Sequence, residues 1–136
     1  MYLANDTLRM VLADESAIVR AGIKRMFAGV PEIEIIEEIS DARSAIASIR
    51  DLEPDLVMLG FQLGSGCAVD VLRDCRDMSP RPICIVHTLN AEPSIRSICY
   101  AAGADIFYDK GRDMAPLLSM LRKLAKALLR NELAVS

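Results

Sequence analysis

Pro54-Asp55-Leu56-Val57-Met58-Leu59-Gly60-Phe61-Gln62-Leu63-Gly64-Ser65-Gly66 decides how this chain folds. Leu56 to Leu59 is an unbroken apolar run, too short for a buried helix. Such a run suits a strand covered on both faces, as in a parallel sheet. Gly60 closes it, and Gly64-Ser65-Gly66 supplies a loop. Working outward, the same alternation of short apolar runs and helical patterns recurs five times. Leu8 to Ala13 reads as a strand, followed by Val19, Ile23, Met26 and Phe27 at helical spacing up to a stop at Gly29. Ile33 to Ile39 is a second strand, and Glu34, Glu37 and Glu38 suit a sheet edge.

Asp41 is placed to cap a helix whose Ala42, Ala45, Ile46 and Ile49 share a face. Ala68, Val71, Leu72 and Cys75 mark a third helix after the loop. Ile83 to His87 is the fourth strand, and Ile95, Ile98, Cys99 and Ala102 mark a helix that stops at Gly103. Asp105 to Asp109 is the fifth strand, and a long helix runs from about Met114 towards Arg130. Alternating βα units joined by short loops require helices on both faces of a parallel sheet. The expected fold is α/β, a flavodoxin-like (βα)5 doubly wound sheet with strand order 2-1-3-4-5. One domain, residues 7–131, fills the chain, with 1–6 and 132–136 as tails.

At 136 residues and 52% hydrophobic content, with no tryptophan, the core is expected to be aliphatic. The formal charge of −3 lacks the basic excess of a nucleic-acid binder, so no direct nucleic-acid contact is expected. No segment approaches the ~20 apolar residues that span a bilayer, and the N-terminus lacks signal-peptide features. The expected setting is cytoplasmic, with no membrane partner. Cys67, Cys75, Cys84 and Cys99 show no metal-ligand spacing, and ordinary packing is expected of them in place of redox sensing.

Ligands of open α/β sheets bind beyond the C-terminal ends of the strands. Asp14-Glu15, Gly60, Thr88 and Lys110 fall just after the first, third, fourth and fifth strands. With Val11-Leu12-Ala13-Asp14-Glu15, Ile83-Cys84-Ile85-Val86-His87-Thr88 and Gly103-Ala104-Asp105-Ile106-Phe107-Tyr108-Asp109-Lys110, the chain resembles the receiver domains of bacterial response regulators over about residues 7 to 130. The resemblance implies a two-component or phosphorelay signalling module. Asp14 and Glu15 match the acidic pair that holds Mg²⁺ there, Thr88 the hydroxyl that bonds a phosphoryl oxygen, and Lys110 the lysine that pairs with it. Phe107 takes the place of the rotameric switch aromatic.

The resemblance also implies an aspartate at position 60 as phosphoacceptor, and glycine stands there instead. Phosphoryl transfer needs a carboxylate nucleophile within reach of metal and donor. Asp55, the nearest acid on that strand, lies about 16 Å away along an extended chain, at the opposite edge of the sheet. No catalytic residue is therefore expected, and the chain reads as no enzyme. A phosphatase or flavin protein on this fold is disfavoured, because no phosphate-cradling loop follows the first strand and no aspartate nucleophile ends any core strand.

Glu15 is one methylene longer than the family's second aspartate. Asp14 and Glu15 are thus either a weak Mg²⁺ site or a solvated acidic strand end, and no cofactor is expected beyond weak Mg²⁺. Leu89 is expected to crowd the pocket. His87, the sole histidine, is expected to point away from it, at the core edge or surface. Leu117, Leu121, Leu124 and Leu128 form one stripe of the last helix, with Leu118, Ala125 and Leu129 beside it. That surplus either extends the core or forms an interface.

The leading expectation is a degenerate receiver acting by protein interaction. Its partner is a histidine kinase, a phosphotransfer protein or an output protein, or a second copy joined through the fourth helix, fifth strand and fifth helix. The alternative is a small-molecule sensor that uses the space vacated between Asp14, Thr88 and Lys110.

Overall fold

The computed structural model describes residues 7–89, 92–112 and 114–135, with side chains up to Arg130. The expected tail at 1–6 lies outside the described residues. The elements are β1 (Leu8–Ala13), α1 (Ala17–Phe27), β2 (Ile33–Ile39), α2 (Ala42–Leu52), β3 (Leu56–Gly60), β4 (Gln62–Leu63), β5 (Gly66–Cys67), α3 (Ala68–Arg76), β6 (Ile83–Thr88), α4 (Pro93–Ala102), β7 (Ile106–Asp109) and α5 (Ala115–Val135). Five strands pair in parallel in the order β2-β1-β3-β6-β7. Counting those five alone gives the expected 2-1-3-4-5. β4 and β5 add a short antiparallel hairpin beyond the end of β3, which the pattern did not announce.

Local signals set the boundaries. The Ser16 hydroxyl accepts from the Val19 N–H at 3.2 Å to start α1, and the Asp41 carboxylate accepts from Ser44 at 2.9 Å to start α2. Pro93 opens α4 without losing a needed donor, and Gly103, at φ +122, ends it. α5 passes Arg130 and runs to Val135, because after Pro116 in its first turn no glycine or proline interrupts its helix-forming residues.

Alternation along the strands divides the core in two. Val11, Ala13, Val57, Leu59, Cys84, Val86 and Phe107 pack under α2, α3 and α4. Met10, Leu12, Leu56, Met58 and Ile85 pack against Ile23 and Phe27 of α1 and Leu117, Leu121 and Ala125 of α5. Leu118, Leu128 and Leu129 lean on this second cluster, so most of the surplus leucine of α5 extends the core. Among the described residues Met120 is the large apolar side chain of that helix that is exposed, at 44%. Cys75, Cys84 and Cys99 are buried and all four cysteines are free. The hydrogen bond that Cys84 donates to Cys75, together with burial, pushes the Cys84 thiol well above its usual range, so it packs as an inert hydrophobe.

Candidate functional site

Parallel register brings three strand ends into one row. Ala13 lies beside Leu59 and Gly60 beside His87, so Asp14, Gly60 and His87 are successive cross-strand neighbours. Alternation continues the Leu12, Met58 and Ile85 side of the sheet into these three positions, the face covered by α1 and α5. Thr88, the next residue, belongs to the other face.

Gly60 leaves a gap in the middle of the row, and Asp14 fills it. A Cβ placed on Gly60 would lie 2.5 Å from Asp14 Oδ2 and 2.9 Å from its Cγ, closer than Cβ atoms come to their neighbours in real proteins. Only 3% of Asp14 is exposed. Its Oδ2 accepts from Lys110 Nζ at 2.9 Å and its Oδ1 from the Ser16 N–H at 2.8 Å. Arg20 Nη1 donates to the Asp14 carbonyl at 2.5 Å, while Arg20 Nε reaches Glu38 at 3.3 Å. The expected void between Asp14, Thr88 and Lys110 is therefore corrected at its Gly60 side, where the carboxylate occupies it.

Glu15 turns elsewhere. Its Oε1 accepts from the Gly64 N–H at 3.2 Å, tying the β1–α1 connection to the β4–β5 turn. Thr88 ends β6 in a buried position, and the Lys110 N–H donates to its carbonyl at 2.9 Å. Leu89 is 75% exposed, so it does not crowd the pocket as expected. Asp55 lies at the other end of the sheet, where its Oδ2 accepts from the Arg9 N–H at 2.8 Å.

His87 departs furthest from expectation. It is 1% exposed, and its Nε2 lies 3.7 Å from Asp14 Oδ2. Among the described residues neither ring nitrogen has a hydrogen-bond partner. Burial, reinforced by the Lys110 charge and opposed by Asp14, lowers its pKa from 6.5 to about 4, so the ring is neutral at pH 7. His87 does face away from Thr88, as alternation requires. What alternation within one strand could not show is that Gly60 and Asp14 share its face.

Phe107 points inward, 6% exposed. The Arg96 guanidinium lies 5.1 Å from its ring centre, and the Tyr100 hydroxyl accepts from its backbone N–H at 3.2 Å.

The residues present do not suit a divalent cation. Mg²⁺ needs near-octahedral oxygen ligands, and both Asp14 oxygens and one of Glu15 already hold protein donors. No group of three or more His, Cys, Asp or Glu converges among the described residues. Magnesium titration followed by NMR is therefore expected to show saturation only above the millimolar range. Saturation at submillimolar metal would show instead that Asp14 readily leaves Gly60 and Lys110.

Comparison with known proteins agrees with this architecture. The model of the response regulator receiver domain matches residues 10–122. A protein-glutamate methylesterase/protein-glutamine glutaminase of Geobacter sulfurreducens is 30% identical over 65% of this chain and 24% of its own length. The transcriptional regulatory protein DegU of Brevibacillus brevis is 22% identical over 88% of this chain and 50% of its own length. The chain thus spans half or less of these two relatives. The receiver domain of the response regulator NarL from Mycobacterium tuberculosis superimposes with a TM-score of 0.81 at 20% identity, covering 90% of this chain and 98% of that one. With the family model spanning most of its length and the five-stranded topology in place, this chain belongs to the response-regulator receiver domain family.

Proposed function

We propose that this receiver domain signals through protein contacts, without phosphoryl transfer at position 60. One observation carries the reading: the Asp14 carboxylate lies over Gly60, in the space where another residue would carry its side chain, and Lys110 is bonded to it. Phosphoryl transfer in this pocket would need a nucleophile on β3 and an acidic pair open to metal. Here β3 ends without a carboxylate, and Asp14 is held by Lys110 and Ser16.

The partner is a histidine kinase, a phosphotransfer protein or an output protein of a two-component pathway. The surface of α4, β7 and α5, where Ile98, Tyr100 and Met120 are between 43% and 47% exposed, is the face proposed for it or for a second copy. A ligand in the acidic pocket would first have to displace Asp14 from Gly60, and no observation favours that second reading.

Incubation with acetyl phosphate and magnesium, followed by intact-mass spectrometry, tests the central point. The chain is expected to keep its unmodified mass. A stoichiometric gain of one phosphoryl group, lost in mild base and mapped to this pocket, would overturn the proposal.

A further inference from the structure

A hollow of about 410 Å³ opens between the C-terminal end of α1 and the first half of α5. Met26, Val30 and Leu118 supply its apolar lining, and Arg122, Lys123 and Lys126 its basic lining. Met26 is 44% exposed and the three cations are exposed, so both parts are reached from solvent. Leu118, Arg122 and Lys126 recur at every fourth residue and stand one above another along α5. The lining therefore passes from apolar to basic over about 12 Å, at the helical rise of 1.5 Å per residue.

Charge decides the class of occupant. Residues 115–130 carry four cations and no acid, in a chain whose net charge is −3. Two negative groups stand against the three lining cations. Glu32 accepts from Arg122 Nε at 3.0 and 3.2 Å and lies 4.0 Å from Lys126 Nζ. The C-terminal end of α1 adds about half a negative charge. A positive excess remains.

Arg122 meets Glu32 through Nε alone, so its two terminal nitrogens hold no partner among the described residues, and neither does Lys123. The paired N–H groups of a guanidinium match the two oxygens of a carboxylate. An ammonium head would be repelled here, and a neutral head would leave the excess unanswered. Sites for small molecules run to about 300–1,000 Å³, so the space admits a chain of several carbons.

We propose that this hollow binds a small amphipathic carboxylate. Its tail lies against Met26, Val30 and Leu118, and its head bonds Arg122 and Lys123. Asp14, Gly60 and Lys110 do not line the hollow, so the inference is independent of the state of position 60.

NMR titration of labelled protein tests it, following the Met26 methyl group and the backbone N–H groups of Gly29, Ser119 and Lys123. Hexanoate and octanoate are the probes. Acetate gives the head alone, and hexanol and hexylammonium give the tail with a neutral or a positive head. Saturable shifts at these four residues are expected for both longer carboxylates, octanoate binding more tightly because more of its chain is buried. Hexanol should bind at least fivefold more weakly than hexanoate, and acetate and hexylammonium should not saturate. Lys123→Glu should weaken hexanoate at least fivefold while leaving hexanol and the melting temperature unchanged.

If neither longer carboxylate gives a saturable shift, the proposal fails. Hexanol or hexylammonium binding as tightly as hexanoate overturns it, because the basic lining then selects nothing. Acetate binding as tightly as octanoate also overturns it, since surface ion pairing alone would be at work. Undiminished binding of hexanoate to Lys123→Glu removes the head from its assigned place and overturns it too. Should Lys123→Glu not fold, the comparison of the five probes on the unaltered chain decides.

Discussion

Gly60→Ala is expected to lower stability by about 2 kcal/mol, and hence the melting temperature by roughly 8 °C for a domain of this size. Position 60 is not glycine for reasons of backbone strain, because its φ lies outside the left-handed range. Alanine in a strand would ordinarily gain about 0.5–1 kcal/mol over glycine. The loss comes from space. The new methyl group would stand 2.5 Å from Asp14 Oδ2, so the carboxylate must rotate away from the Lys110 and Ser16 bonds that hold it. A buried carboxylate parted from its cation is costly.

The same reasoning predicts strong coupling. In an Asp14→Ala background, Gly60→Ala should be neutral or stabilising, because nothing remains to displace. Thermal melts of the four proteins form the cycle. Additive effects would mean that Asp14 is not what excludes a side chain at position 60. Gly60→Asp should lose more than Gly60→Ala without metal, since carboxylates within ~4–6 Å disfavour one another's ionisation. Magnesium should recover part of that extra loss by binding the folded form alone.

His87 gives the second large effect. Its pKa falls from 6.5 to about 4 on folding, mainly by burial, so the unfolded chain binds a proton in that interval and the folded chain does not. Stability is therefore complete above pH 6.5 and declines as pH falls towards 4. At roughly 1.4 kcal/mol per unit the loss comes to about 3 kcal/mol. The carboxylates held low by specific bonds act in a different window. Glu38, bonded by Lys24, and Asp41, bonded by the Ser44 N–H, lose their contributions only as pH drops below their ordinary values of 4.5 and 3.8. Urea unfolding between pH 4.5 and 7.5 isolates the histidine. His87→Phe should flatten the profile across that range, and a variant as steep as the parent would assign the slope to other groups.

The fold was legible because its signals are local and repeated. Leu56–Leu59 carried the central strand, Glu34, Glu37 and Glu38 marked the edge, and Asp41 and Gly103 set helix ends. The β4–β5 hairpin was not legible, because two-residue strands have no period to detect. The strand-end positions of Asp14, Gly60, Thr88 and Lys110 were readable from their order along the chain. The filling of position 60 was not, because it depends on side chains from three strands meeting across the sheet. A register of Gly60 beside His87, had it been drawn from the expected strand order, would have placed the histidine in the row. The surplus leucines of α5 left core and interface both open for a related reason. Leu118, Leu128 and Leu129 cover a core edge that a helical wheel does not display.

The enclosure of Phe107 bears on how often this surface changes shape. Turning the ring into solvent would forfeit about 1.5–3 kcal/mol of burial and the roughly 0.5–1 kcal/mol contributed by a cation such as Arg96 over the ring. At 1.4 kcal/mol per factor of ten, between about one molecule in thirty and about one in seven hundred holds the outward form. A partner selective for that rare form binds more weakly in the same proportion, whereas one fitted to the inward form meets nearly every molecule ready.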